Sequence, residues 1–200
     1  MHTIRLVLAT NNQHKVKEIR KILPESYDLL TLKDAGLSLD LPETTGSISG
    51  NAAQKALTVW ELTGCDCIAD DSGLEVQALD GKPGVDSAHF AGFPPNEDRN
   101  LVYLLDQMEG VLNRKASFVT VIALVLKGKL FTFEGRLNGE ISLKRMGNHG
   151  FGYDPVFIPE GFRETFAQMS PERKNAISHR ALALQQLAGF FMKNGGEALL

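Results

Sequence analysis

Cysteine is nearly missing from this chain: of 200 residues, only Cys65 and Cys67 carry a thiol. They stand two apart, where strand neighbours point the same way and backbone geometry rarely permits a bridge. That excludes a disulfide-stapled scaffold and leaves two buried thiols in a reducing compartment as the reading. Long apolar runs are also missing, none approaching the ~20 residues of a membrane span. The opening stretch, residues 1–8, reads as a strand and is too short for the apolar core of a signal peptide. The expected location is cytoplasmic, with no membrane partner. Neither sign of charge dominates, since 21 Lys and Arg against 24 Asp and Glu leave a formal net charge of −3. A general nucleic-acid binder carries a basic surface, so nucleic acid is not an expected partner. A few lysines focused in a cleft can still hold a small polyanion. The histidines and cysteines show no zinc spacing, no serine sits in a nucleophile elbow, and no Gly-rich Walker pattern occurs. Repeats, low-complexity tracts and linkers are lacking as well.

What remains is an ordinary globular composition, 43% hydrophobic and 22% charged. The length suits one substantial core or at most two closely packed lobes, and a single α/β domain over 1–200 is the simplest account. Ile4 to Ala9 reads as a buried strand, and a helix follows with Val16, Ile19 and Leu23 on one face, stopped by Pro24. Residues 27–32 read as a second strand. A helix is expected from Asn51 to Thr63, closed by Gly64. Cys67 to Ala69 and Leu74 to Ala78 read as strands on either side of an acidic pair. Asn96 caps a helix whose Leu101, Leu104, Leu105 and Met108 form a core stripe. Phe118 to Leu126 and Leu130 to Glu134 read as a hairpin, the former apolar enough to be covered on both faces. Val156 to Ile158 is a candidate last strand, and a terminal helix carries Ile177, Ala181, Leu184, Ala188 and Phe191 before Gly195-Gly196.

Four segments could carry chemistry. Ala69-Asp70-Asp71-Ser72-Gly73 places adjacent carboxylates at the end of an apolar run, where like charges repel and desolvation is costly. A divalent cation relieves both problems, although the same letters also spell a turn. Thr10-Asn11-Asn12-Gln13-His14-Lys15 joins a strand to a helix, whose unpaired N–H groups and dipole favour anions. A plain capped helix is the alternative. Asn51 and Lys55 share one helical face, with Lys55 either at a site or a snorkelling surface lysine. Gly150-Phe151-Gly152-Tyr153-Asp154-Pro155 combines permissive backbone with aromatic faces suited to a base, against the alternative of a tight turn with buried aromatics. Beyond them, Ser170 and Pro171 open a helix, and Ser178 could cap a second one after a break. That break would present His179 and Arg180, donors suited to a base carbonyl; a continuous exposed helix face is the other possibility.

Taken in order, these segments resemble the inosine triphosphate pyrophosphatase family. The resemblance rests on Thr10-x-Asn12-x-x-Lys15, Glu43-x-x-Gly46, Asn51-Ala52-x-x-Lys55-Ala56 and Ala69-Asp70-Asp71-Ser72-Gly73-Leu74. It continues through Gly81-x-Pro83-Gly84-x-x-Ser87-Ala88, Gly150 to Pro155, and Lys174-Asn175-x-Ile177-Ser178-His179-Arg180, nearly the whole chain. It implies an elongated mixed β-sheet with flanking helices and two lobes with the active-site cleft between them. It also implies hydrolysis of ITP, dITP or XTP to monophosphate and pyrophosphate with Mg²⁺, in a homodimer. By position, Thr10 to Lys15 would hold phosphates, partly through the main chain of Asn11, Gln13 and His14. Glu43 and Asp71 would bind the metal, with Asp71 also the general base. Lys55, Ser72 and Lys174 would contact phosphate or sugar, and Phe151, Gly152, Tyr153 and Asp154 with His179 and Arg180 would form the base pocket.

Three positions depart from the family pattern. Ile48 replaces an aromatic, a packing change. His89 replaces the Arg of a Ser-Ala-Arg string and removes a fixed charge. Gln168 replaces a Glu and weakens at most an outer contact. Two rivals remain: a septum-inhibitor type pyrophosphatase, whose members lack Ser-His-Arg, and a nucleotide-binding regulator without turnover, which gains little from metal-ligating acids.

Overall fold

The computed structural model describes residues 4–10, 16, 19–21 and 23–194. One six-stranded sheet runs in the order β2-β1-β3-β4-β5-β6. Its strands are β1 (Ile4–Leu8), β2 (Tyr27–Thr31), β3 (Asp66–Val76), β4 (Lys115–Leu126), β5 (Lys129–Ile141) and β6 (Phe157–Pro159). β1 pairs in parallel with β2 and β3, while β5 and β6 are antiparallel, so the sheet is mixed. Residues 16, 19 and 20 are helical, where a helix was expected, and the further helices among the described residues are α1 (Ile48–Thr63), α2 (Glu97–Gln107), α3 (Pro171–Ile177) and α4 (His179–Asn194). An α/β fold with a mixed sheet was the sequence-based expectation, and it holds.

The boundaries follow local chemistry. α1 begins three residues before the expected Asn51, because Ser47 accepts from the Gly50 N–H at 3.0 Å and caps it. Gly64, in the left-handed conformation, closes it by donating to the Trp60 carbonyl at 2.8 Å. β4 and β5 are joined by Lys127 and Gly128, both at positive φ, as a two-residue hairpin turn requires. β5 extends well past the expected Glu134, to Ile141. The last strand is Phe157–Pro159, one residue later than expected.

The largest correction concerns the acidic pair. Asp70 and Asp71 are not a turn between two strands but lie inside the continuous β3. β1 pairs with β3 only as far as Ile68, and the continuation of β3 beside its other neighbour, β4, overrides the turn preference of Asp-Asp-Ser-Gly. Successive strand side chains then point to opposite faces, which separates the two acids.

The chain divides into two compact units: one of residues 1–71, 121–134 and 182–200, the other of residues 72–120 and 135–181. The first has a core of Leu6, Leu8, Ile68, Ile122, Leu124 and Phe191, with Val16 and Ile19 buried against it. Cys67 is fully buried here, donates to the Ala56 carbonyl at 2.9 Å, and burial pushes its thiol up to about 12. Cys65 is only half-buried, against the expectation of two buried thiols, and neither forms a disulfide. The second unit packs Leu74, Leu101, Leu104, Met108, Phe118 and Phe157 into its own core.

Candidate active site

In the first unit, the acids and lysine singled out by the sequence meet. Asn51, Gln54 and Lys55 share a face of α1 by helical spacing, and two of them pin the preceding loop. Gln54 Oε1 accepts from the Thr44 N–H at 2.9 Å, and its amide donates to the Thr44 hydroxyl at 2.9 Å. Asn51 Oδ1 accepts from the Thr45 hydroxyl at 2.9 Å and the Thr45 N–H at 3.2 Å. A Cβ on Gly50 would lie 2.2 Å from the Thr45 hydroxyl, so only glycine lets the loop fold this tightly. Glu43 is thereby delivered to α1, and Lys55 Nζ donates to its Oε1 at 2.5 Å. The same ammonium donates to Asp71 Oδ1 at 3.2 Å.

Lys55 is only 8% exposed, so the snorkelling alternative falls. Burial works against its charge, yet Asp71 and Glu43 together hold the ammonium above its ordinary lysine value. Burial likewise pushes the Asp71 carboxyl above the usual aspartate value, with Lys55 pulling it back and Glu43 adding to the rise. Asp70, buried and pointing to the other face of β3, still adds a small negative potential at Lys55.

Does this cluster fit a metal? Among the described residues, no three or more His, Cys, Asp or Glu gather around one point. Two hard-oxygen carboxylates converging on one cation do suit Mg²⁺, which usually takes one or two protein carboxylates and completes its shell with water and phosphate. Glu43 and Asp71 are the residues that would hold it.

The second unit contains a cavity of about 430 Å³, the size range of small-molecule sites. Ser72, Phe151, Gly152, Tyr153, Asp154, Lys174, His179 and Arg180 all line it, so every base-pocket residue read from the sequence lies on this one wall. The helix break is real: Ser178 separates α3 from α4, and its hydroxyl accepts from the Ala181 N–H at 3.2 Å. His179 then stacks on Phe118, ring centroids 4.7 Å apart and 12° from parallel.

The glycine-aromatic loop is held from inside. Asp154 Oδ2 accepts from the Phe151 N–H at 2.9 Å and from Lys174 Nζ at 2.5 Å. A Cβ on Gly150 would meet that same oxygen at 2.0 Å. Burial raises the Asp154 carboxyl, and Lys174 opposes the rise. The two aromatics differ in role. Phe151 is 62% exposed and shares its face with Lys174 Nζ, 4.6 Å from the centroid. Tyr153 is buried, and its hydroxyl donates to the Ser87 carbonyl at 3.0 Å, so it braces the loop and offers no open face. Lys174, read as a phosphate or sugar contact, is paired with Asp154 in this cavity, and the Ser72 hydroxyl pairs with Thr120 at 2.7 Å.

Several lining groups escaped sequence reading. Glu97, read only as a first-turn acid, accepts from the Gly152 N–H at 2.9 Å. Asn100, in the middle of α2, donates to the Ala88 carbonyl at 2.8 Å and accepts from the Ala91 N–H at 2.8 Å. A buried Asn on a leucine-rich helix stripe was the available signal. Thr10 follows β1, its N–H bonded to the Leu8 carbonyl at 2.8 Å. Asn11, Asn12, Gln13, His14 and Lys15, expected to hold phosphates, lie outside the described residues.

A model of the Ham1 family matches residues 6–190. The chain belongs to the Ham1 family. Among its relatives, a dITP/XTP pyrophosphatase of Flavobacterium johnsoniae is 50% identical over 184 residues, covering 92% of this chain and 96% of the relative. A dITP/XTP pyrophosphatase of Porphyromonas gingivalis is 49% identical over 189 residues, covering 94% and 97%. The solved Ham1 protein of Staphylococcus aureus aligns with a TM-score of 0.92 at 36% identity, over 95% of this chain and 99% of that one. A HAM1 protein from Coxiella burnetii aligns with a TM-score of 0.91 at 34% identity, over 96% and 100%. The family resemblance read from the motifs therefore stands.

The three departures fit without disturbing either cluster. Ile48 is buried in the first turn of α1. His89 stacks on Phe93 and lies 3.2 Å from Asp86. Gln168 accepts from the Thr165 N–H at 2.9 Å, completing a capping box on the short turn Phe166–Gln168.

Proposed function

We propose that this chain is a nucleoside triphosphate pyrophosphohydrolase acting on dITP, XTP and ITP, releasing the monophosphate and pyrophosphate with Mg²⁺ bound at Glu43 and Asp71. The observation that carries this reading is the meeting of Glu43 and Asp71 at the Lys55 ammonium. A mere nucleotide binder gains little from such a cluster. Relatives named for dITP and XTP, at about half identity over most of the chain, point to the same substrates.

When bound, Mg²⁺ would neutralise phosphate charge and make a water more acidic. Asp71, ionised, accepts the proton of the attacking water at its carboxylate, a task its ordinary basicity alone could not accomplish. The water oxygen joins the nucleotide phosphate, the bridging P–O bond breaks, and pyrophosphate leaves. Lys55 offers an ammonium to phosphate oxygens, and Lys15 is read from its motif in the same capacity.

Specificity rests on donors at the cavity. Hypoxanthine and xanthine present a carbonyl where adenine presents an amino group. Arg180 is a donor only, so adenine would leave two donors facing each other, a mismatch that supports strong rejection. Phe151 supplies the exposed ring for stacking. The Ser-His-Arg string at Ser178, His179 and Arg180 favours this reading over the septum-inhibitor type. A homodimer in the cytoplasm completes the proposal; no described helix is long and apolar enough to cross a membrane.

Pyrophosphate release tests it. With Mg²⁺, dITP, XTP and ITP are hydrolysed far faster than ATP, and EDTA abolishes turnover. Equal rates on all of these nucleotides would remove the base-reading role of Arg180, and full activity in EDTA would remove the metal from Glu43 and Asp71.

A further inference from the structure

We propose that Lys55 is the resident counter-cation of the metal site: its ammonium holds the gap between Glu43 and Asp71 in the metal-free protein and is displaced when the metal binds. The inference deepens the metal assignment above and rests on it. Lys55 Nζ stands 2.5 Å from Glu43 Oε1 and 3.2 Å from Asp71 Oδ1. An Mg²⁺ ion ligated by one oxygen of each carboxylate needs contacts of about 2.0–2.1 Å to both. Taken at Glu43 Oε1 and Asp71 Oδ1, such an ion would claim the two oxygens to which the ammonium now donates, and two cations at one pair of acceptors repel.

The surroundings suit an exchange. Without any cation, Glu43, Asp71 and neighbouring Asp70 would repel one another beside the core of the first unit. Lys55 prevents that, so the carboxylates stay gathered before the metal arrives. The side chain of Glu43 is 49% exposed, which opens the pair to solvent on one side. The lysine stem is long and unbranched and can swing its head aside without unfolding α1. Metal arrival then releases a positive charge a few ångströms away, available to a phosphate oxygen, so that the metal and the phosphate-binding ammonium become active together. The cost is weaker affinity for the metal alone, since each ion bound must evict an internal competitor.

The test uses the full chain without nucleotide. Lysine-selective proton–nitrogen NMR follows the Lys55 ammonium during an Mg²⁺ titration, and Mn²⁺ binding is measured by electron paramagnetic resonance for the wild type and for Lys55→Met. At saturation the Lys55 signal is expected to lose its hydrogen-bonded character and exchange with water at least about tenfold faster. Lys55→Met, which keeps the stem and drops the charge, is expected to bind Mn²⁺ at least about tenfold tighter, because a positive charge beside a cation site opposes the ion's entry. Metal binding that leaves the Lys55 signal unmoved, or a Lys55→Met affinity equal to or below wild type, overturns the displacement and leaves the metal assignment standing. Should neither protein bind Mn²⁺, the metal assignment fails and the displacement with it. The wild-type NMR arm decides the matter even where Lys55→Met folds poorly.

Discussion

Among the described residues, each compact unit sets a lysine with little exposure against acid, and the two lysines are built to opposite ends. Lys55 is shared between Glu43 and Asp71, and the Glu43 side chain is 49% exposed. Lys174 meets the single carboxylate of Asp154, whose side chain is 3% exposed. Asp154 is further saturated by the Phe151 N–H, and the rings of Phe151 and Phe166 cover the ammonium. The first arrangement is open to solvent on one side, so a newcomer can compete with the ammonium for the carboxylates. The second gathers both of its donors on one buried oxygen, Asp154 Oδ2. Ion-pair chemistry thus serves as an exchangeable seat in one unit and as a strut for a ligand loop in the other, with burial and the number of acceptors deciding which.

The largest effect should come from breaking the strut. Lys174→Met leaves Asp154 buried without its partner, and a buried pair broken on one side costs about 3–5 kcal/mol. Urea unfolding of the variant reads this directly. Adding Asp154→Asn in the same chain should recover part of the loss, because no uncompensated charge then remains. Lys55→Met should cost less, since Glu43 can turn to water and Asp71 can take up a proton. A larger loss for Lys55→Met than for Lys174→Met would invert the comparison.

Next in size is the loss of the base. Asp71→Asn keeps the shape of β3 and should lower kcat by about 10²-fold or more, the usual scale for general-base removal. Steady-state pyrophosphate release measures it, and near-normal turnover would strip Asp71 of that role. The pH dependence carries the same assignment. Burial raises the folded-state Asp71 above the ordinary 3.8, so the carboxylate is lost on acidification earlier than a free aspartate would be. In the metal-free protein the Asp71 carboxyl is therefore expected to titrate above 3.8, as followed by carboxyl-carbon NMR. For stability the sign is the reverse of a salt-bridged surface acid. Asp154 is raised too, so the folded chain holds its proton where the unfolded chain does not. Stability falls as pH rises from 3.8 through the raised folded value. Unfolding free energy across that window should lose this slope in Asp154→Asn.

How legible was this from the sequence? The caps Gly64, Asn96 and Ser170 were, because they act through neighbours a few residues away, whereas the Ser47 cap was missed. The break at Ser178 was too, and with it the exposure of His179 and Arg180 to one cavity. The acidic pair was read as an interruption between two strands because the pairing of β3 with β4 is long-range, and local preference points the other way. Lys55 could not be told from a surface lysine, since its burial depends on Glu43 and Asp71, 12 and 16 positions away. The bracing role of Tyr153 was hidden for the same reason: its acceptor, Ser87, lies 66 positions upstream. Local chemistry was readable, and what required two distant segments to meet was not.

The smallest predicted effect sharpens the comparison most finely, because it asks whether the strut-built pocket reads its ligand through Tyr153. Burial pushes the phenol well above its usual value, so the hydroxyl remains a donor at any working pH. Its acceptor, the Ser87 carbonyl, also faces the Asn100 amide at 3.4 Å. Tyr153→Phe therefore leaves the carbonyl with a second donor, and the loss should be about 0.5–1.5 kcal/mol, the net worth of one hydrogen bond. The ring still fills its place, so the ratio of ITP to ATP hydrolysis should stay within about twofold of wild type. Phe151→Leu, by contrast, removes the exposed ring and should raise KM for ITP by about tenfold, since base–aromatic stacking is worth about 1–3 kcal/mol. If Tyr153→Phe instead collapsed the ITP-to-ATP ratio while stability held, the hydroxyl would be a reading group. The second unit would then share the exchangeable character assigned here to the first.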